Sequence, residues 1–216
     1  QVLNGLLLEQ DNGKVKMVGT DGHRLAIIRR NLGDNAKGEK LSHLIPKKAL
    51  AEVMKLIEDE EATFSFSSKN NHMAFMQGDQ VIVSRKIDGK FPNYQQVIPS
   101  DNKLQVNISR DMFQRALKRV ALLADEKSKM VRFDIQSGRI TLTTDTTELG
   151  EAREEIAISY SGEDVSVGLN AKYVLDVLSV IDDEEVVLNL KDEKSSCLIT
   201  SKGDKDYQSI VMPMRL

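Results

Sequence analysis

The chain has no tryptophan, a single cysteine and only 4 prolines in 216 residues, and aromatic residues make up 5% of it. One cysteine excludes an intramolecular disulfide, so the fold has to stand on its core, and a reducing compartment such as the cytoplasm suits it. The scarcity of aromatics argues against a base-stacking platform for single-stranded nucleic acid. No stretch approaches the roughly 18 consecutive apolar residues of a membrane helix, so no membrane partner is expected. The opening QVLNGLLLEQ has neither the basic leader nor the cleavage pattern of a signal peptide. It also lacks an initiator methionine, and the expectation is that the true beginning lies upstream. Strong positive charge is absent too. The formal net charge is −3 at pH 7, so any role on DNA must rest on local basic patches.

What is present is an internal repeat. KKALAEVMKLIEDEEATFSFS, from Lys47 to Ser67, aligns without a gap on AKYVLDVLSVIDDEEVVLNLK, from Ala171 to Lys191. Ile57 falls on Ile181, Asp59 on Asp183, Glu60 on Glu184 and Glu61 on Glu185. Each copy reads as a helix, an acidic turn and a strand. Ala49, Leu50, Val53, Leu56 and Ile57 form one helical stripe, and Val174, Leu175, Leu178 and Ile181 form the other. Pro46 suits the first helical position of the first copy, and Asn170 suits the N-cap of the second. In the strands, Phe64 and Phe66 alternate in one copy, and Val187 with Leu188 to Leu190 in the other. The spacing predicts helices over Pro46–Ile57, Arg110–Ala124 and Asn170–Ile181. VRFDIQ, RITLTT and VSVGL read as strands separated by the turns Ser137-Gly138 and Ser161-Gly162.

The chain is therefore a tandem of similar α+β units with antiparallel sheets, divided at the PSDN stretch near Ser100 to Asn102. The units are residues 1–100 and 103–216. The helix Arg110 to Ala124 has no counterpart in the first unit, since the repeat offset places it before Gln1. The first unit is thus expected to be truncated, with one apolar sheet face uncovered.

Conventional site chemistry is sparse. TDGHRLA, Thr20 to Ala26, places an acid, a glycine, a histidine and an arginine together and admits two readings. One is a general-base cluster of Asp21, His23 and Arg24. The other is a strand-to-strand turn in which Asp21-Gly22 supplies the positive φ. His43, His72 and Cys197 stand at no metal-ligand spacing, and Cys197 in SSCLIT reads as a small core residue. The runs EDEE and DDEE lack calcium-loop spacing. GTDGHR lacks the Gly-Lys-Ser/Thr ending of a phosphate loop. No metal and no cofactor is expected.

Two features look toward partners. The helix from Arg110 carries Arg110, Arg115, Lys118 and Arg119 against Asp111, with Arg115 and Lys118 opposite the stripe Phe113, Ala116, Leu117 and Val120. Such a face is either simply solvated or a sequence-independent contact for phosphates; Lys47 and Lys48 open the first-copy helix in the same way. The terminus IVMPMRL is apolar where chain ends are usually polar. It is either a last core strand or, through its adaptable methionines, a docking surface.

TDGHRLA, DGKFPNYQQVIP, GLNAKYVLDVL and VMPMRL, in this order, resemble the bacterial DNA polymerase III β subunits, the sliding clamps, across essentially the whole chain. The resemblance implies the DNA clamp fold, with similar domains whose helices line an inner face and whose sheets lie outside. The chain would then hold part of the middle domain and the whole C-terminal domain. It implies a processivity factor with no active site of its own. Full-length subunits would pair as a homodimeric ring around duplex DNA. The polymerase catalytic subunit and the clamp loader would dock through linear peptides.

The implied peptide groove uses Leu3, Thr20, Gly22, His23, Arg24, Leu25, Pro92, Gln96 and Val97. It also uses Asn170, Tyr173, Ser196, Ile210, Val211, Met212, Pro213, Met214 and Leu216. Lys47, Lys48, Arg115 and Lys118 would face DNA. Leu122 and Leu123 match ring-interface positions, whose partner surface would lie on the first domain, so this chain is expected not to close a normal ring. Gln96 stands where the family commonly has arginine, Lys194 replaces an apolar residue, and Ser128 replaces a larger one.

Overall fold

The computed structural model describes residues 2–33, 40–57, 64–146 and 150–216. The chain forms two compact units. The first comprises Gln1–Gly22 with Ile27–Asn93, the second His23–Ala26 with Tyr94–Leu216.

In the first unit β1 (Gly5–Asp11), β2 (Lys14–Thr20), β3 (Arg24–Asn31) and β4 (Leu41–Pro46) run antiparallel in the order β4-β1-β2-β3. Helix α1 (Lys47–Leu56) follows, then the antiparallel meander β5 (Ser65–Lys69), β6 (His72–Gln77) and β7 (Gln80–Arg85). Ala49 and Val53 of α1 pack with Leu8, Ile45, Met73 and Phe75, and Leu50, Phe64 and Phe66 cover the cluster in part. Ile57, assigned to the stripe, is exposed because α1 ends one residue earlier. Pro46 is not the first helical residue. It keeps an extended φ and ψ of −60° and 138° and pairs with Gly5, so the strand runs up to it and the helix begins at Lys47. The EDEE turn, 58–61, lies outside the described residues.

The second unit repeats this plan at greater length. β8 (Leu104–Ser109) and α2 (Arg110–Ala121) come first. β9 (Met130–Gln136), β10 (Arg139–Thr146), β11 (Gly150–Ala157) and β12 (Val165–Asn170) follow in the spatial order β12-β9-β10-β11. Then come α3 (Ala171–Leu178), β13 (Glu185–Leu190), β14 (Cys197–Ser201) and β15 (Tyr207–Val211), and β8-β13-β14-β15 are antiparallel neighbours. β12-β9-β10-β11 repeats β4-β1-β2-β3, α3 repeats α1, and β13-β14-β15 repeats the first meander. The internal repeat thus extends well beyond the two aligned segments. β8 and α2 have no counterpart among the described elements of the first unit.

Phe113, Ala116, Leu117 and Val120 of α2 are all buried, as the stripe predicts. They meet Val131, Phe133 and Ile135 of β9 and Ile140 and Leu142 of β10 in one core cluster. Each large side chain buried in this way contributes about 1.5–3 kcal/mol. α2 stops at Ala121 rather than Ala124. The N–H groups of Leu122, Leu123 and Ala124 donate to the carbonyls of Arg119, Val120 and Ala121, a tighter three-residue winding. The inward residues of β13 are Val186, Leu188 and Leu190, not Val187, which is only half-buried. A strand's period of two makes a one-residue error exchange its faces.

α3 starts where expected. Asn170 Oδ1 accepts from the Tyr173 N–H at 3.2 Å, and the helix ends at Leu178. Cys197 is fully buried in β14, and burial pushes its thiol up to about 12, so it is inert packing. The architecture is α+β with antiparallel sheets. No described helix is long and apolar enough to cross a membrane.

Candidate docking site

TDGHRLA forms the turn from β2 to β3, and Gly22 has φ +91°, the conformation that glycine adopts at least cost. The Gly22 N–H donates to Thr20 Oγ1 at 3.1 Å. His23–Ala26 group with the second unit, and the tie is explicit: the Met212 N–H donates to the His23 carbonyl at 2.9 Å. Arg24 meets α3. Its Nη1 lies 2.5 Å from Asp176 Oδ2, and its guanidinium sits 4.5 Å from the centre of the Tyr173 ring. The same Tyr173 supplies the N–H that Asn170 caps. Asp176, one turn along α3, was not foreseen from the sequence. Arg24 is thus held by a carboxylate and a ring of the same helix. Among the described residues, no group of three or more His, Cys, Asp or Glu side chains could hold a metal ion.

The tail reaches the same region. Ile210 and Val211 end β15 and are buried, as is Leu25. Met212 and Leu216 are 37% and 54% exposed, and Pro213 and Met214 are half-buried. The Met214 N–H donates to the Gly168 carbonyl at 2.8 Å, which lays the tail along β12. Gly168 is buried, and a Cβ there would stand 3.0 Å from both the Met214 oxygen and Leu216 Cδ2. A glycine inside a strand often marks such a close approach, and the glycine of VSVGLN is a signal of it in the sequence. Gly168→Val is expected to leave β12 intact, displace the tail and weaken docking of a partner peptide about tenfold. A fluorescence titration showing unchanged affinity would refute that role.

The loop before β9 is tied to the start of α3. Asn170 Nδ2 donates to the Ser128 carbonyl at 2.8 Å, and the Ala171 N–H donates to the Lys129 carbonyl at 2.8 Å. The Ser128 N–H donates to Asp125 Oδ1, and this bond, first among several, holds the Asp125 carboxyl below its ordinary range. Ser196 Oγ donates to the Val97 carbonyl at 3.1 Å. Val97 and Gln96 are exposed in a short 3-10 turn. Leu3, Thr20, Gly22 and Pro92 belong to the first unit.

A family model described as the C-terminal domain of the DNA polymerase III beta subunit matches residues 95–215, and the central-domain model of the same subunit matches residues 1–93. The chain belongs to the DNA polymerase III beta subunit family. The beta sliding clamp of Pseudomonas putida is 35% identical over 214 residues, 99% of this chain and 58% of that protein. The Escherichia coli K12 clamp is 31% identical over 214 residues, with the same shares. The crystal structure of the DNA polymerase III subunit beta from Pseudomonas aeruginosa superposes with a TM-score of 0.95 at 32% identity, covering 100% of this chain and 58% of that one. The chain thus spans a little over half the length of these relatives.

Other positions suggested by the beta subunit resemblance are placed as follows. Lys47 and Lys48 are exposed at the start of α1, and Lys118 is exposed on α2; none makes an ion pair among the described residues. Arg115, also exposed, pairs with Asp111 at 3.0 Å. Arg119 is held by Glu154 at 2.6 Å, and Arg110 Nε donates to the Asp183 carbonyl at 3.0 Å. The helix therefore offers less free positive charge than its composition suggests. Leu122 is 77% exposed, and Leu123 is half-buried. Lys194 is exposed.

Proposed function

We propose that this chain is the partner-docking and DNA-encircling portion of a replication processivity clamp, with residues 1–100 and 103–216 as its middle and C-terminal domains. In the full-length homodimer it surrounds duplex DNA without reading sequence. It tethers the polymerase catalytic subunit and the clamp loader through linear peptides. It has no active site of its own and needs no cofactor. The observation that carries this reading is the hydrogen bond from Met212 to the His23 carbonyl, which joins His23 and the apolar tail within the second unit.

His23, Arg24 and Tyr173 supply polar and aromatic groups for orientation, and Met212, Met214 and Leu216 supply apolar surface for affinity. Gln96, Val97, Asn170, Ser196 and Pro213 complete the surface, with Leu25, Ile210 and Val211 supporting it from beneath. The parts assigned to Leu3, Thr20, Gly22 and Pro92 rest on the family resemblance. Lys47, Lys48, Arg115 and Lys118 face DNA phosphates through weak, mobile contacts, and Leu122 and Leu123 belong to the ring interface. A Pseudomonas aeruginosa clamp, with a TM-score of 0.94 to this chain, has been solved bound to griselimycin.

The test is a titration with a polymerase-derived clamp-motif peptide, monitored by fluorescence anisotropy. Saturable one-to-one binding is expected. His23→Ala, which keeps the backbone carbonyl, is expected to weaken it by more than about 1 kcal/mol. Absence of saturable binding by the unmodified chain would overturn the reading.

A further inference from the structure

The tail pairs with β12 at the edge of the sheet β12-β9-β10-β11, with Leu216 over Gly168 on the outer face, and that face continues beyond it. Along β10, Ile140 and Leu142 are fully buried in the core, so Thr141 and Thr143 point the opposite way. Strand register places Gly168, Arg132 and Thr143 in one row across this face, and Ser166, Asp134 and Thr141 in the next. Leu216 covers Gly168 in the first row. A cavity of about 670 Å³ opens over the second row, floored by Arg132, Asp134 and Thr141. The turns at Glu163–Asp164 and Asp192–Glu193 wall it. A smaller recess of about 460 Å³ is lined by Leu216 and by the same Arg132 and Asp134. The two hollows therefore share a floor, and one of them touches the tail.

Two observations describe what this hollow lacks. Thr141 is 4% exposed and lines the larger cavity, and its hydroxyl has no hydrogen-bond partner among the described residues. The cations around the cavity are already committed. Arg132 pairs with Asp134 at 2.8 Å, Arg153 with Glu155 at 2.6 Å and Lys191 with Asp101 at 2.7 Å. The wall carboxylates are not matched in the same way. Among the described residues Asp164 accepts from the neutral Gln136 amide, and Asp192 accepts from the Ser195 side chain and from the backbone N–H groups of Lys194 and Ser195, with Lys191 acting on it at longer range. Glu163 makes no ion pair among the described residues, and Glu193 has only the exposed Lys194 at 3.7 Å. The hollow carries more carboxylates than cations, and its floor presents the Thr141 hydroxyl, which together a side chain with a positive charge and N–H donors would complement.

We propose that this hollow receives a lysine- or arginine-bearing segment flanking the docked peptide of a protein partner. The segment runs from Leu216 over the Arg132–Asp134 pair to the Glu163 and Asp192 walls. Neighbouring rows on one sheet face are about 7 Å apart, so about three to five extended residues span the path. The inference rests on the docking reading above and adds a specificity element to it.

The experiment uses the whole chain and a clamp-motif peptide extended at either end by four lysines or by four serines. One lysine-extended peptide is expected to bind about tenfold tighter than its serine counterpart at low salt. The gain should fall below threefold in the variant Glu163→Gln/Asp164→Asn/Glu193→Gln, whose three positions are exposed and outside the core. Thr141→Val should also reduce it. Equal binding of lysine and serine peptides would overturn the inference and leave the docking reading standing. A lysine gain that survives in both variants would also overturn it, because the attraction would then be diffuse. If neither peptide binds, the docking reading fails and the inference fails with it.

Discussion

Replacing Met212 and Leu216 together by alanine is expected to weaken docking of a polymerase-derived peptide by about 3 kcal/mol, more than a hundredfold in Kd. Both side chains are exposed, at 37% and 54%, so the free protein gains little from them. A docked peptide would bury them, and each fully buried side chain of this size is worth about 1.5–3 kcal/mol. The stability of the chain itself should change by no more than about 0.5 kcal/mol, as for surface positions generally. This separation is diagnostic. If the tail were only a last core strand, the double variant would lose stability and leave peptide affinity unchanged. Isothermal titration alongside urea unfolding reads both quantities, and an affinity within threefold of the parent would remove the tail from the docking site. The backbone that positions it, through Met212 to His23 and Met214 to Gly168, is untouched by these substitutions.

Phe113→Ala is expected to cost about 3–5 kcal/mol of stability, the range for truncating a fully buried aromatic. Phe113 has no exposed surface and meets Phe133 edge-on, with ring centres 6.0 Å apart and planes at 80°. That geometry adds about 0.5–1.5 kcal/mol beyond simple burial. The loss is a large share of the 5–15 kcal/mol that holds a typical domain. Phe66→Ala in the first unit should cost distinctly less, because Phe66 is only partly buried against its cluster, beside Phe75 at 5.2 Å. Urea unfolding followed by circular dichroism tests the contrast. A Phe113 cost below about 2 kcal/mol, or one no larger than that of Phe66, would show that α2 is not the keystone of the second core.

The contrast follows from the unequal plans of the two units. In the second, α2 packs against α3 and against strands β8 to β11, closing the core. In the first, α1 has no such neighbouring helix among the described elements, and Met17, Leu50, Phe64 and Phe66 remain half-covered.

Much of the fold was legible because it is local. The stripe Phe113, Ala116, Leu117 and Val120 declares both a helix and its buried face within eight residues, and the Asn170 cap needs only Tyr173, three positions on. Short β-branched runs bounded by turn residues marked β9 and β10. Element ends were less legible: α2 tightens after Ala121 although ALLA reads as more helix, and β13 took the opposite register to the one favoured by Val187. β11 gave no strand signal because half of GEAREEIA is charged and its burial pattern leaves only Ile156 fully covered.

The site divides along the same line. The apolar terminus and the DGHR turn were visible as oddities, and the common purpose proposed for them rests on family likeness. Nothing in either segment announces Asp176 as the partner of Arg24, since 152 residues separate them. Nor does the sequence announce that Gly168 lies under Leu216, or that the Thr141 hydroxyl opens into a hollow beside the tail. Periodicity and caps are properties of neighbouring residues and can be read in a short window. Which rows of a sheet stand side by side, and which side chain lies over which glycine, depends on strand order and register between distant segments. Those are settled only when the whole core packs.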